Sequence, residues 1–343
     1  MGGAERVTIE LALTQRREGL DAQILSLGSE QDFLVDAVKE RGIPLSVSEN
    51  TPNRFRRYAG ILRTAKKFDV VHCHSPRALL YLSPIVPLFA GKRFIYTRHG
   101  LEPLSAAKWI FMHKVLHPFI YCVTFVTQSG CEVFKTQHKW DEAKLRVINN
   151  GVFVPENYSV SKKYPVRFGS VGRMVALKGQ PILLEAVKLL AQELGESAKS
   201  RFTLKFFGGG PLESQLRDQA AAFTPGLVEF CGEQSDLEKI YQSIDVLIVA
   251  SQSEGLSMVI MEAMARGRPA IATDVGGNST LVKNFETGLL IPFGSAAQLA
   301  SAMRNILNNP ELIEEYGVNA RELIKNDFSL VNTHRDYLKC YVD

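Results

Sequence analysis

Short β-branched or aromatic runs alternate with longer amphipathic stretches along nearly the whole chain. That alternation constrains the fold more than any single motif. In the first half, strands are predicted at 22–27, 45–48, 70–74, 94–97, 123–127 and 146–148. Helices are predicted between them at 4–18, 32–41, 55–67 and 106–119. The second half repeats the theme, with strands at 166–171, 203–207, 228–231, 246–249, 270–273 and 288–291. Its helices fall at 181–193, 212–222, 257–266 and 296–307. Strands separated by helices of this length make βαβ units, so the fold class is α/β with parallel sheets.

At roughly 100–200 residues per domain, 343 residues imply two domains. Asn149-Asn150-Gly151 and the polar stretch that continues to Pro165 mark the junction. The expected boundaries are 1–155 and 165–327, with a closing segment 328–343. Parallel sheets of this kind bind ligands beyond the carboxyl ends of their strands, so a cleft between two Rossmann-like domains is expected.

Apolar residues make up 45% of the chain and charged residues 22%, which excludes disordered, collagen-like and coiled-coil classes. No apolar run reaches the ~18 residues of a spanning helix. Met1 is followed by Gly-Gly-Ala-Glu-Arg, unlike a secretory leader. The five cysteines are scattered without a C-x-x-C pair, so the expectation is a cytoplasmic protein without a disulfide or zinc framework. Residues 1–165 carry 23 Lys/Arg against 15 Asp/Glu, whereas 166–343 carry 17 against 21. The basic half is expected to face something anionic.

The strongest chemical signal is the stretch Ser253-Glu254-Gly255-Leu256-Ser257 and the apolar helix after it, which carries Glu262. It follows an apolar strand, so Glu254 lies in a strand-to-helix loop where free N–H groups suit oxygen ligands. Glu262 on so apolar a helix needs donors. Vicinal ribose hydroxyls would supply them; a carboxylate near the helix start, favoured by the dipole, is the plainer reading. Gly172-Arg173 and Lys178-Gly179 put two cations beside another helix start, where the dipole disfavours them unless a diphosphate is bound. Two solvated loop cations would look the same.

Phe207-Gly208-Gly209-Gly210 is a weak dinucleotide fingerprint, because Glu213 occupies the third glycine position. It reads as a tight turn that lets backbone approach a ligand or a neighbouring loop. His99 ends a strand and can donate hydrogen bonds or move protons, or be structural. His72 and His74 share a strand face but have no third ligand nearby, so no metal is assigned. Arg54, Arg56, Arg57, Arg63, Lys66 and Lys67 interleave with Phe55, Tyr58, Ile61 and Leu62 as a basic amphipathic helix. Such a helix is a solvated surface element or a contact for anionic head groups.

Taken in order, these residues resemble the retaining GT-B glycosyltransferases of family 4. The likeness covers nearly the whole chain. It rests on Gly2-Gly3-Ala4-Glu5, Val71-His72-Cys73-His74-Ser75, Thr97-Arg98-His99-Gly100 and Ile148-Asn149-Asn150-Gly151. It continues through Val171-Gly172-Arg173, Lys178-Gly179, the Glu254 and Glu262 pair, and Asp274-Val275-Gly276-Gly277. The resemblance implies that Arg173 and Lys178 neutralise the diphosphate of a nucleotide-sugar, UDP favoured. It implies that Glu254 binds donor-sugar hydroxyls, with Gly172, Gly255, Leu256 and Ser257 beside it, and that Glu262 binds the ribose. It places His99 near the sugar, Gly2 and Gly3 near the phosphates, and the last segment as a helix crossing back to the first domain. The acceptor is expected to be a saccharide or lipid-linked molecule of envelope polysaccharide or lipopolysaccharide synthesis, with peripheral contact to an anionic membrane. No cofactor, metal or nucleic acid is implied. Family members carry a strand before the Gly-Gly turn, and here none precedes it. An inactive nucleotide-sugar binder and a GT-B-like sugar epimerase are the alternatives.

Overall fold

The computed structural model describes residues 3–29, 33–48, 53–100, 104–158 and 164–342. Gly2 lies outside the described residues. The chain divides into two units, 1–151 with 330–343 and 152–329.

The strands of the first unit are β1 (Ile24–Ser26), β2 (Leu45–Val47), β3 (Val70–Cys73), β4 (Arg93–Arg98), β5 (Cys122–Phe125) and β6 (Leu145–Val147). Its helices are α1 (Gly3–Arg17), α2 (Phe33–Glu40), α3 (Arg54–Ala65), α4 (Pro76–Leu82), α5 (Ala107–Leu116) and α6 (Gln128–Gln137). β3 to β6 form one parallel sheet in sequence order, while β1 and β2 pair with each other in a separate parallel ribbon. The strands predicted at 22–27 and 45–48 therefore shorten to three residues each. β1 and β2 are half-buried, not sandwiched between two layers.

Side chains alternate across the four-stranded sheet. Phe94, Tyr96, Val123 and Phe125 pack under α3, α4, α5 and α6 through Ile61, Leu79, Met112, Leu116 and Phe134. Ile95 and Cys122 point the other way, onto Leu11 of α1 and Tyr337 and Cys340 of the closing helix. Burying each such aromatic or aliphatic side chain stabilises by about 1.5–3 kcal/mol.

The second unit places six parallel strands in the order β12-β11-β10-β7-β8-β9. They are β7 (Val166–Val171), β8 (Phe202–Phe207), β9 (Val228–Phe230), β10 (Val246–Val249), β11 (Ala270–Thr273) and β12 (Gly288–Ile291). The helices are α7 (Gln180–Leu194), α8 (Ala198–Arg201), α9 (Glu213–Phe223), α10 (Leu237–Gln242), α11 (Met258–Met264), α12 (Asn278–Leu281), α13 (Ala296–Asn308) and α14 (Leu312–Asp327). The strands β10 and β11 are buried along their length, as a sheet covered on both faces requires.

The last helix, α15 (Leu330–Val342), belongs to the first unit. It is held there by polar contacts as well as packing. The Tyr341 hydroxyl bonds His72 Nδ1 and accepts from Gln15 Nε2, both at 2.9 Å. Thr333 Oγ1 donates to the Asn149 carbonyl at 3.0 Å. The predicted closing segment 328–343 thus begins two residues late, because Phe328 and Ser329 remain with the second unit. Six helices among the described residues were not predicted: α4, α6, α8, α10, α12 and α14. α4, α6 and α10 open on caps readable in hindsight: Ser75 before Pro76, Thr127, and Asp236.

Candidate functional site

Strand order in the second unit reverses between β7 and β10. The chain runs outward from β7 through β8 and β9, then returns to lay β10 on the opposite side of β7. Loops leaving the carboxyl ends of these two strands diverge and leave a crevice, the usual ligand position in such sheets. The residues singled out from sequence sit on those loops. Gly172, Arg173 and Lys178 follow β7; Glu254, Gly255, Leu256 and Ser257 follow β10.

Backbone contacts tie the loops together. Gln252 N–H donates to the Leu177 carbonyl at 2.8 Å. Gly179 adopts φ +66°, and a Cβ there would lie 2.0 Å from the Ala250 carbonyl oxygen. The loop after β11 closes the other flank. Gly277 N–H donates to the Gly255 carbonyl at 2.8 Å, and a Cβ on Gly276 would meet the Glu254 carbonyl oxygen at 1.8 Å. Only glycine permits that approach. The triple-glycine turn after β8 serves the same scaffold. A Cβ on Gly208 would lie 2.2 Å from the Gly172 carbonyl oxygen, and one on Gly210 2.6 Å from that of Met174. Its partner in the structure is a neighbouring loop.

Lys178 Nζ donates to Glu254 Oε1 at 2.7 Å, and Ser251 Oγ donates to the same oxygen at 2.7 Å. Glu254 is largely shielded, with its side chain 11% accessible, while Lys178 is half-buried. Both contacts end on Oε1, which leaves Oε2 without a bond among the described residues. Arg173 is exposed, and its carbonyl accepts from Gln180 Nε2 at 2.9 Å. The sequence suggested Lys178 as a cation waiting for an anion. The structure supplies a carboxylate from the next loop, so the two groups hold each other's charge.

Glu262 lies on α11 and is only 2% exposed. Its Oε2 accepts from the Tyr241 hydroxyl at 2.9 Å, a donor the sequence did not suggest. The Arg266 guanidinium donates to the Glu262 carbonyl at 3.0 Å and stacks on the Tyr241 ring. The carboxylate on an apolar helix thus has a protein partner in Tyr241, where ribose hydroxyls were expected to satisfy it. Neither Ser251 nor Tyr241 was picked out. Ser251 had a faint signal in its place between strand and Glu254. Tyr241 had none, since its partner is 21 residues away.

His99 follows β4 in the first unit. Its Nε2 lies 3.3 Å from His74 Nδ1, and the two rings stack. His72 continues the chain of rings toward α15, bonding Thr97 Oγ1 at 2.6 Å and Tyr341. Burial holds the His99 imidazolium down to about 4 and that of His72 to about 3, the latter also through the neighbouring His99. His99 is therefore a neutral imidazole at neutral pH. Its Nδ1 is buried without a hydrogen-bond partner among the described residues. Among those residues no three His, Cys, Asp or Glu side chains are grouped to hold a metal ion.

The basic helix is α3, capped by Asn53 Oδ1 on the Phe55 and Arg56 N–H groups. Arg54, Arg56, Arg63, Lys66 and Lys67 are exposed and Arg57 is half-buried; Ile61 faces the core. Phe55 is 86% exposed. On the same side of the sheet α5 exposes Ile110 and Phe111 (69%) between Lys108 and Lys114, and Val115 just after Lys114. From residue 51 to 131 the chain carries 12 Lys/Arg and 2 Asp/Glu. Among the described residues no helix is long and apolar enough to cross a membrane.

The sequence profile of Glycosyltransferase Family 4 matches residues 1–154, and that of Glycosyl transferases group 1 matches residues 157–323. An uncharacterized glycosyltransferase of Methanocaldococcus jannaschii, MJ1178, is 31% identical over 263 residues, 75% of this chain and 70% of its own. The UDP-Gal:alpha-D-GlcNAc-diphosphoundecaprenol alpha-1,3-galactosyltransferase of Escherichia coli is 25% identical over 373 residues, 100% of this chain and 94% of its own. Among solved structures, Anabaena Alr3699/HepE in complex with UDP is similar with a TM-score of 0.82 at 20% identity. That match covers 98% of this chain and 95% of the other.

Proposed function

The chain belongs to the glycosyltransferases of group 1 and family 4, with the GT-B fold, and on that premise we propose that its second unit binds a nucleotide-sugar donor. The observation that carries this reading is the Lys178–Glu254 pair at the switch point of the sheet. A diphosphate arriving there takes over Lys178, with Arg173 on the same loop. The released carboxylate of Glu254 then accepts hydrogen bonds from donor-sugar hydroxyls. Gly255, Leu256 and Ser257 offer backbone N–H groups, and Glu262, steadied by Tyr241, reads the ribose. A uridine nucleotide is favoured, supported by the UDP in the HepE structure and the UDP-sugar of the E. coli relative.

Transfer proceeds with retention and without a metal in this reading. The bond from the anomeric carbon to the phosphate oxygen breaks, and one to the acceptor oxygen forms on the same face. The acceptor's proton goes to the departing phosphate. Arg173 and Lys178 stabilise the charge that builds up there, as fixed cations can. His99 offers its unpartnered Nδ1 to a hydroxyl. The acceptor is a saccharide or lipid-linked molecule of envelope polysaccharide or lipopolysaccharide synthesis, supported by the diphosphoundecaprenol substrate named for the relative. The basic, partly apolar side of α3 and α5 meets an anionic membrane.

Transfer and donor hydrolysis with UDP-sugars, measured for the wild type, Glu254→Gln and Lys178→Ala, test the assignment. Both variants should lose turnover while remaining folded. Wild-type turnover in both would overturn it.

A further inference from the structure

A second polar cavity lies in the same unit at the opposite ends of the strands. Asp245 immediately precedes β10 and Arg268 lies two residues before β11, so they sit at the amino ends, away from Lys178 and Glu254. The cavity measures about 210 Å³ and is lined by Asn157, Tyr158, Glu238, Tyr241, Gln242, Arg266 and Arg268. At ~30 Å³ of liquid volume per water it holds several waters or one small polyatomic ion.

Its charges do not balance. Arg167 is paired with Asp245 at 2.6 Å, and Arg266 with Glu238 at 3.0 Å. Glu238 also accepts from Gln242 Nε2 at 3.0 Å, which spends its second oxygen. Arg268 has no carboxylate partner among the described residues. It is 3% exposed; Nε donates to the Tyr241 carbonyl at 2.8 Å, and Nη1 is buried with no acceptor. A guanidinium keeps its proton in a protein, so the charge cannot be shed. A buried cation needs a counter-charge or acceptors; Asp245 and Glu238 attract Arg268 from nearby but are paired with Arg167 and Arg266, and the one direct acceptor is the Tyr241 carbonyl.

We propose that this cavity binds a phosphate-sized oxyanion, anchored by Arg268. Such an ion presents several acceptor oxygens to the fork of a guanidinium and cancels the unpaired charge. Asn157 and Tyr158 also line the cavity. The ion is either free phosphate or the phosphoryl group of a small metabolite. The site stands apart from the donor loops and does not depend on the function assigned to them.

Thermal unfolding in inorganic phosphate or glucose 1-phosphate, against chloride at equal ionic strength, tests it. The full chain should show a saturable rise in Tm. The rise should persist in the Arg173→Ala/Lys178→Ala double variant, disappear in Arg268→Met, and grow in Glu238→Gln. Gln242 is exposed, and Gln242→Glu, which adds a carboxylate to the cavity, should also remove the rise, giving a second variant if Arg268→Met fails to fold. A rise with both probes identifies free phosphate as sufficient; a rise with glucose 1-phosphate alone identifies a metabolite's phosphoryl group. No rise with either probe beyond chloride overturns the proposal. So does a rise unchanged in Gln242→Glu, or one abolished by the double variant.

Discussion

Lys178 and Glu254 meet at 2.7 Å across the one point where the second unit's sheet reverses direction. The pair is preorganised, and in the proposed donor site each partner is used only when the two separate. Lys178→Ala should therefore lower kcat by about 10²–10³, the range for deleting one fixed donor to a developing anion. Steady-state transfer kinetics read this directly, and a change confined to KM would contradict a transition-state role.

Gly276 is predicted to be intolerant of a single methyl group. Gly276→Ala forces a Cβ against the Glu254 carbonyl from a backbone at φ +55°. Gly232 at φ +70° has nothing within 4 Å, so Gly232→Ala carries only the left-handed cost of ~1–2 kcal/mol. Urea unfolding should show Gly276→Ala to be the more destabilised, with weakened UDP binding as well. Equal losses in the two variants would mean the loops have room to part.

Tyr241→Phe removes a donor from a carboxylate that is 2% exposed. Stability should fall by about 1–3 kcal/mol, the usual cost of depriving a buried polar group of a partner. Chemical denaturation at neutral pH measures it, and a loss under about 0.5 kcal/mol would place the pair among ordinary surface contacts.

Acid should weaken the first unit before the second. All seven histidines lie in the first unit. Burial holds His72 and His113 to about 3, and His99 and His138 to about 4, against an ordinary 6.5. Unfolded histidines take up protons below about 6.5 while the folded ones do not, so the unfolded state gains. The stability is complete above that pH and drains as pH falls toward 4, by up to about 1.4 kcal/mol per pH unit per histidine. Hydrogen exchange at pH 7 and pH 5 should show protection lost in β3, β4 and α6 and kept in β7 and β10. Uniform loss across both units would refute the assignment.

For the proposed membrane contact, Phe111→Glu should reduce flotation with anionic vesicles, as should Arg54→Glu/Arg56→Glu. Neutral vesicles should bind the wild type more weakly, because each basic residue near an anionic surface contributes about 1 kcal/mol. Equal binding to both vesicle types would remove the electrostatic part.

The α/β class was legible because each half repeats a period-2 run followed by a helical one, and β7, β10, β11 and β12 fall within a residue of their expected bounds. Lys178 and Glu254 were legible as loop residues because strands end visibly before them. Their pairing was not, since 76 residues separate them and only the strand order brings the loops together. Tyr241 under Glu262 and Arg268 behind Tyr241 are contacts of the same kind. Short elements such as β1 and β2 gave weak periodicity, and α5 is apolar around most of its circumference, so its exposed Phe111 could not be told from a core residue.

The seating of α15 on the first unit has a consequence for synthesis. A ribosome releases residues 1–151 long before 330–342, so the early segment waits with Leu11, Ile95 and Cys122 uncovered. The second unit is continuous from 152 to 329 and can complete itself during that interval. Residues 1–151 are therefore made before the second unit yet finished after it, and they are the stretch most in need of a chaperone.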